Sequence, residues 1–376
     1  MNMGMNNNVL GLIFASINDS TVIDLTKQRT MGSIPFGGRY RLIDFPLSNM
    51  VNAGIQEVGV ITKSNYGSLM DHLGSGREWD LARKKGGLHL LPPFSHVGGG
   101  IYQGRLEALN NVWNFIDYAK SEYVVMSNCD VVANVDFSEA IAQHANSDAD
   151  ITIVYAKGPY RMEKNISTNI LTIGEDNNVT EVLINPDMAG ECNICLDMFV
   201  MRTDFLKKIV REAASKNQHS LIRDVLQGRK DEFVFKAYEY KGSFFKIDSL
   251  ESYFKTNLML QNAEIRKDLF NASSPIYTKT GDNAPVKYGL ETSVKNSTIA
   301  DGCVIEGTVE NCVLFRGVKV GKGSVLKNCV IMQGTTIGEN CNLEHIVTDK
   351  EVEISNDRVL TGSLEYPLYL GKKAKI

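Results

Sequence analysis

A chain of 376 residues, 43% of them hydrophobic, exceeds what one ordinary core needs, so two domains are expected. Its formal net charge of −4 is spread without a basic block or an acidic tail, which argues against a nucleic-acid partner. No apolar run reaches membrane-spanning length and no signal peptide is read at the start; seven cysteines in no framework spacing then point to a reducing, cytoplasmic setting.

After a polar stretch, Met1 to Asn8, expected to fray, the run from Val9 to Ala15 is apolar and reads as a buried parallel strand. In nucleotide sites the loop behind such a strand wraps phosphates. It needs glycines for close backbone approach and a basic side chain for charge. Here the loop is Ser16-Ile17-Asn18-Asp19-Ser20-Thr21, with no glycine, no Lys or Arg, and one carboxylate. Turn and capping residues crowd the stretches Pro35 to Arg41 and Asp44 to Asn49. The scaffold of a nucleotide site is present and its working loop is not.

Val58 to Thr62 reads as a strand and Tyr66 to Leu73 as a short helix. Gly98-Gly-Gly100 lacks the Gly-Lys-Ser/Thr of a P-loop and reads as a loop. Leu106, Leu109, Trp113 and Ile116 recur at helical spacing, so one helix is expected from Leu106 to Tyr118. Tyr123 to Ser127 and Ile151 to Tyr155 are further buried strands. Strands alternating with helices imply a mostly parallel, Rossmann-like sheet covered on both faces, with ligands at the carboxyl ends of its strands. The loop after Ala15 and the residues after Ser127 stand at such ends.

This domain is expected to span residues 1–268, and 269–285 to form a linker rich in Ser, Asn and Pro. From 286 to 376 the period changes. Val294, Ile299, Val304 and Val309 recur every five residues, and Val320, Val325 and Val330 do so again. Gly302, Gly307, Asn311, Gly321, Asn328, Gly338 and Asn340 punctuate them. Repeats this short cannot bury a face singly, and their stacking predicts a left-handed parallel β-helix. Cys303, Cys312, Cys329 and Cys341 fall on repeat positions and are expected to be buried, inert thiols. Cys192-x-x-Cys195 invites a zinc reading, but no second pair or histidine at finger spacing accompanies it.

The run IPFGGRYRLIDFPLSNMVNAGI resembles the glucose-1-phosphate adenylyltransferase (ADP-glucose pyrophosphorylase) family, and the likeness extends over nearly the whole chain. That family carries Gly-Gly-x-Gly-x-Arg-Leu where this chain has Ser16, Ile17, Asp19, Thr21 and Val22, so the chain looks like the GlgD-type partner subunit and not the catalytic one. The resemblance makes Asp130 the match of a magnesium-binding Asp, with Asn128, Cys129 and Val131 as altered neighbours. The second metal Asp is matched by Lys246, in Gly242-Ser-Phe-Phe-Lys246-Ile-Asp248. A cation there turns attraction for a metal into repulsion. Two unit charges ~4 Å apart interact by about 4 kcal/mol at an intermediate dielectric, and a divalent ion doubles that. Asp248, two residues on, would share a strand face with Lys246. The family's phosphate-binding lysine is matched by Asn185, and a second lysine is lost at Met31. Gly104-Arg105-Leu106 stands for Gly-Thr-Ala, adding bulk, and Ile222-Arg223-Asp224 stands for Gly-Lys-Asp.

Nucleotidyl transfer depends on positioning and charge stabilisation, and no substitute nucleophile or base is visible. The resemblance therefore implies a regulatory subunit, weak or inactive alone. Its expected setting is a heterotetramer with a catalytic subunit that uses Mg²⁺ to make ADP-glucose from ATP and glucose 1-phosphate for glycogen synthesis. Arg29 and Arg41 match arginines of an anionic effector site between the domains; with Arg39 they read equally as a solvated basic face. Two rivals remain. One is an active enzyme built on Asp130, Asp248 and Arg223, and the other a β-helix acyltransferase, for which His345 is alone among the repeats.

Overall fold

The computed structural model describes residues 8–93, 102–162 and 168–376. The glycine run Gly98–Gly100 and most of the polar N-terminal stretch lie outside them. Val9–Phe14 forms the central strand and is buried along its whole length. It pairs in parallel with Glu57–Ile61 on one side and Tyr123–Asn128 on the other. Gly87–Leu91 extends the parallel part beyond Glu57–Ile61. Gly11 lets the helix Asp44–Asn52 pack closely across this strand, since a Cβ there would stand 2.6 Å from Met50 Sδ and displace that side chain.

Beyond Tyr123–Asn128 the sheet turns antiparallel. The long strand Ala189–Arg202 pairs with it and with Ile151–Arg161, and the hairpin Asn169–Ile173/Val179–Ile184 lies outside. Phe235–Glu239 closes against Ile151–Arg161, again in parallel, giving a nine-stranded sheet around a parallel core. The expected helix from Leu106 to Tyr118 is two helices, Arg105–Asn111 and Trp113–Tyr118. The break falls at Val112, whose φ of −109° and ψ of 23° leave the helical range just after Asn110 and Asn111, both weak helix formers. No described helix is long and apolar enough to cross a membrane.

The helix Ala263–Leu269 ends the first layer set, and strands resume at Lys287. From there three parallel sheets of five strands wind into one stack, the arrangement a left-handed β-helix requires. Its interior holds Ile305, Val309, Leu326, Ile331 and Leu343 together with Cys303, Cys312, Cys329 and Cys341, all buried and free, as expected. Burial raises the Cys329 thiol well above its ordinary value, which keeps it unreactive. Asn296, Asn311 and Asn328 turn successive corners at positive φ and hydrogen-bond to one another in a ladder. Cys192 and Cys195 are also buried and free, and they pack in different apolar clusters.

The β-helix and the sheet domain share a core. Phe254 and Leu260 cluster with Val313, Phe315, Met332 and Val347 of the repeats. Gln261 Nε2 donates to the carbonyl of Cys312 at 3.2 Å across the same seam.

Candidate functional site

The carboxyl ends of the parallel strands open into a cavity of about 530 Å³. Its walls include Ile17 and Asn18 of the loop after the first strand, Gly104 and Arg105, Asn169, Asp197, and the segment from Asn217 to Asp224. Gly104 fits because its backbone lies against the His219 carbonyl, where a Cβ would meet oxygen at 2.2 Å. Leu221–Gln227 forms a π-helix, a wide turn that recurs at functional sites. In it, Asp224 Oδ2 accepts the backbone N–H groups of His219 and Ser220 at 2.9 and 2.8 Å. Arg223 is exposed on the wall, whereas Asp130 and Asp248 do not line the cavity.

The loop from Ser16 to Thr21 holds itself shut with its own polar groups. Asn18 Nδ2 donates to Asp130 Oδ2 at 2.6 Å, and the Met31 N–H donates to Asp19 Oδ1 at 2.7 Å. Thr21 Oγ1 donates to the Asn18 carbonyl at 2.9 Å. Burial raises the Asp19 carboxyl to about 7, offset only in part by the Met31 N–H and by Lys63. Asn185 follows the strand Val179–Ile184 at the open end of the outer hairpin, with φ +48° and its Oδ1 accepting the Thr168 N–H at 2.7 Å.

Arg105 and Asp197 of the cavity wall belong to an ion cluster that sequence reasoning found only in part. Asp197 is buried, 2.9 Å from Arg105 Nη2 and 3.6 Å from Lys246 Nζ. It also accepts Asn169 Nδ2 at 3.3 Å. Burial pushes the Asp197 carboxyl up, but Arg105 and Lys246 outweigh it and hold the group below its ordinary value. For Asp130 the balance reverses. Burial raises it, Lys246 offsets this in part, and Oδ1 has no hydrogen-bond partner among the described residues. Lys246 itself is held above its ordinary value, because Asp197, Asp130 and Asp248 together outweigh its burial.

Asp248 does not share a strand face with Lys246. The strand Phe244–Lys246 ends there, and the Asp248 N–H instead donates to Ser252 Oγ at the start of the next helix. Asp197 sits at φ +56° in a bulge, where the register against Ile151–Arg161 slips between Cys195 and Met198. Its signal in the sequence is one acidic residue inside the apolar run Ile194 to Val200.

This donor set does not fit Mg²⁺. The ion needs carboxylates with negative charge to spare. Asp197 is held by two cations, burial keeps the Asp130 carboxyl above its ordinary value, and the Lys246 ammonium acts on both carboxylates. Among the described residues, no group of three His, Cys, Asp or Glu is placed to hold a metal.

A second cavity, of about 290 Å³, lies at the junction with the β-helix and is lined by Arg39, Arg41, Lys279, Arg316 and Lys350. Arg41 Nη1 donates to the Ser68 carbonyl and hydroxyl at 2.6 and 2.9 Å. Burial lowers Arg41 to about 10 despite Asp44, and Lys350 to about 8, with Arg41 and Arg29 adding repulsion. Arg29 does not line this cavity. It is buried and bonded to Asp349 of the β-helix at 2.6 Å. His345 faces Asn328 and the Phe254 ring.

A parallel core sheet with its cavity at the strand ends, joined to a stacked-repeat β-helix, defines the nucleotidyltransferase class. The nucleotidyl transferase family model matches residues 11–228, and the model for a GlmU-like C-terminal hexapeptide domain matches 285–363. The chain is 39% identical to the glycogen biosynthesis protein GlgD of Bacillus subtilis over 98% of its own length and 96% of that protein's. It is 37% identical to the GlgD protein of Geobacillus stearothermophilus, covering 86% and 84% of the two chains. With the glucose-1-phosphate adenylyltransferase of Clostridium perfringens strain SM101 identity is 32%, over 85% and 83%. The chain belongs to the GlgD branch of the glucose-1-phosphate adenylyltransferase family.

Proposed function

We propose that this chain is a regulatory subunit of glucose-1-phosphate adenylyltransferase with little or no catalysis of its own, acting in glycogen biosynthesis. The observation that most supports this reading is the Lys246–Asp197–Arg105 cluster, in which one cation falls on the position that the family resemblance gives to a metal carboxylate and a second stands 2.9 Å from Asp197. The glycine-free loop bonded to Asp130 and Met31 supports it, because the backbone N–H groups that should meet phosphate are not arranged around an open cradle. The names and activities of its relatives supply the pathway and the partner. In a mixed tetramer the catalytic subunit would convert ATP and glucose 1-phosphate to ADP-glucose with Mg²⁺, and this chain would tune that site.

The tuning ligand in this reading is an anionic metabolite at the domain junction. Arg41 and Lys350 are the residues for it, since both are cations under electrostatic pressure beside a cavity. A phosphate or carboxylate there relieves that pressure, and arginine grips such groups bidentately. Arg29 acts one step back, by fixing Asp349 and so the position of Lys350. The deciding experiment assays the pure chain alone and mixed with its catalytic partner. The reading expects turnover at least ~10³-fold below an ordinary enzyme of about 10 s⁻¹ for the chain alone, and an altered effector response in the mixture. Turnover near that ordinary rate by the pure chain would establish the rival, an active enzyme with a rearranged site.

A further inference from the structure

The cavity at the strand ends has a wall without excess charge. Its charged side chains are two cations, Arg105 and Arg223, and two carboxylates, Asp197 and Asp224. Three of these four are already engaged. Arg105 bonds Asp197 through Nη2 at 2.9 Å and Asn128 through Nε at 3.3 Å, and its guanidinium lies over the Phe199 ring. Asp224 accepts the backbone N–H groups of His219 and Ser220. Of the four, only Arg223 is exposed. Between these charges stand amides. Gln103, Asn217 and Gln218 line the cavity, and among the described residues their side-chain amides make no hydrogen bond. Asn18 and Asn169 add two more, each donating through Nδ2 to a carboxylate, Asp130 and Asp197 in turn. Ile17, Ile184, Leu221 and Ile222 supply apolar surface, and no Phe, Tyr or Trp is among the described residues of the wall.

We propose that this cavity binds an uncharged sugar, either a free hexose or the end of a glucan chain, without metal and without phosphate. The inference rests on the reading of the chain as non-catalytic and names the ligand class that its cavity takes. An unbonded amide offers a donor and an acceptor side by side, and a sugar hydroxyl both donates and accepts, so the two match. A phosphate presents only acceptors and charge. It calls for a cation with charge to spare, but Arg105 and Lys246 are held by Asp197, and Asp197 and Asp224 repel an anion. A nucleobase calls for a ring to stack on, and the wall has none. A sugar needs neither. Its hydroxyls meet the amides, and its C–H faces meet the four aliphatic side chains. The volume of about 530 Å³ lies in the range of small-molecule sites, about 300–1,000 Å³.

The test is titration calorimetry of the full chain with glucose, maltose, glucose 1-phosphate and adenosine, each with Mg²⁺ and with a chelator. Glucose or maltose is expected to bind equally well in both conditions, and at least ~10-fold more tightly than glucose 1-phosphate. Tighter binding of maltose would identify a glucan end, and equal or tighter binding of glucose a free hexose. Gln103→Leu and Gln218→Leu are each expected to weaken the sugar about threefold, near the worth of one hydrogen bond. Asp197→Asn keeps an oxygen for Arg105 but removes the charge that holds Arg105 and Lys246. It is expected to shift the preference at least ~10-fold toward glucose 1-phosphate, a reversal that loosened packing would not produce. Thermal unfolding of each variant checks the fold, and the two glutamine variants carry the test should Asp197→Asn fail to fold. No heat with either sugar up to ~10 mM, where a Kd of about 1 mM is evident, would overturn the inference and leave the non-catalytic reading standing. So would tighter binding of adenosine, or binding of glucose 1-phosphate that is tighter than glucose and requires Mg²⁺. Turnover of ATP and glucose 1-phosphate by the pure chain would overturn the reading beneath it, and the inference with it.

Discussion

Arg29 and Asp349 are 320 positions apart in the chain and meet at 2.6 Å, both buried, between the sheet domain and the fourth coil of the β-helix. The carboxylate is fully engaged. Oδ2 accepts the Tyr369 hydroxyl at 2.9 Å, and Oδ1 also accepts the Lys350 N–H at 2.6 Å. Removing one member of such a pair leaves a buried charge without compensation, which typically costs about 3–5 kcal/mol. Arg29→Ala is therefore expected to lower stability by roughly that amount in urea titrations. Replacing both partners, as Arg29→Met with Asp349→Leu, is expected to cost less than either single change, because no charge is stranded.

A second prediction concerns repair of the cavity. Lys246→Asp alone is expected to restore almost no turnover. It removes a cation that Asp197, Asp130 and Asp248 depend on and adds a further buried carboxylate, while the loop from Ser16 to Thr21 stays bonded shut. Groups that act as a unit do not contribute additively. Only combined reversion of the loop, Met31, Asn185 and Lys246 to the family's residues is expected to raise the rate. The measurement is initial velocity of each pure variant, and a large rescue by the single change would assign the defect to Lys246 alone.

Asp19 supplies a pH signature. Its carboxyl rises from an ordinary 3.8 to about 7 in the folded chain, so between those values the native state holds a proton that the unfolded state has lost. Its contribution is complete below pH ~4 and is lost as pH climbs through about 7, at up to ~1.4 kcal/mol per unit. Asp19→Asn keeps an oxygen for the Met31 N–H and removes the titration. The stability difference between variant and wild type is expected to shift in the variant's favour from pH 4 to 7 and to stay constant above. A constant difference across that range would show that Asp19 titrates normally.

The junction cavity gives a fourth. Lys350 is lowered to about 8, so near pH 8 to 9 much of it is uncharged. An anion bound beside it favours the charged form, and binding must then take up protons. Calorimetry of the mixed complex in buffers of different ionisation enthalpy is expected to show net proton uptake at that pH. Lys350→Met should abolish the uptake, and Arg41→Ala should shift the effector response by about 1–3 kcal/mol of coupling with the complex intact.

Local sequence made the frame legible and hid the long-range charge pairs. Val9 to Phe14 declared itself as a buried strand because every position is apolar, Tyr123 to Ser127 because four of its five positions are, and the valines recurring every five residues declared the β-helix by their short period. At Lys246 it was the family resemblance that set a cation on a metal position. Arg105 registered only as bulk, because its partner Asp197 comes ninety-two positions later and lies in a bulge that no periodicity marks. Arg29 read as an effector ligand by resemblance or as part of a solvated basic face, since nothing near it in the chain announces Asp349. The break at Val112 was missed because the apolar spacing from Leu106 to Ile116 continues through it.

The asparagine ladder on the β-helix has a repeat. Each of the later coils adds 17 residues, as the spacing of Asn311, Asn328 and His345 records, and each touches only its neighbours. Duplication of one coil would add one rung to the ladder and leave the stack sound. A lineage can thereby lengthen this domain one coil at a time, with no change to the sheet domain or to the cavity.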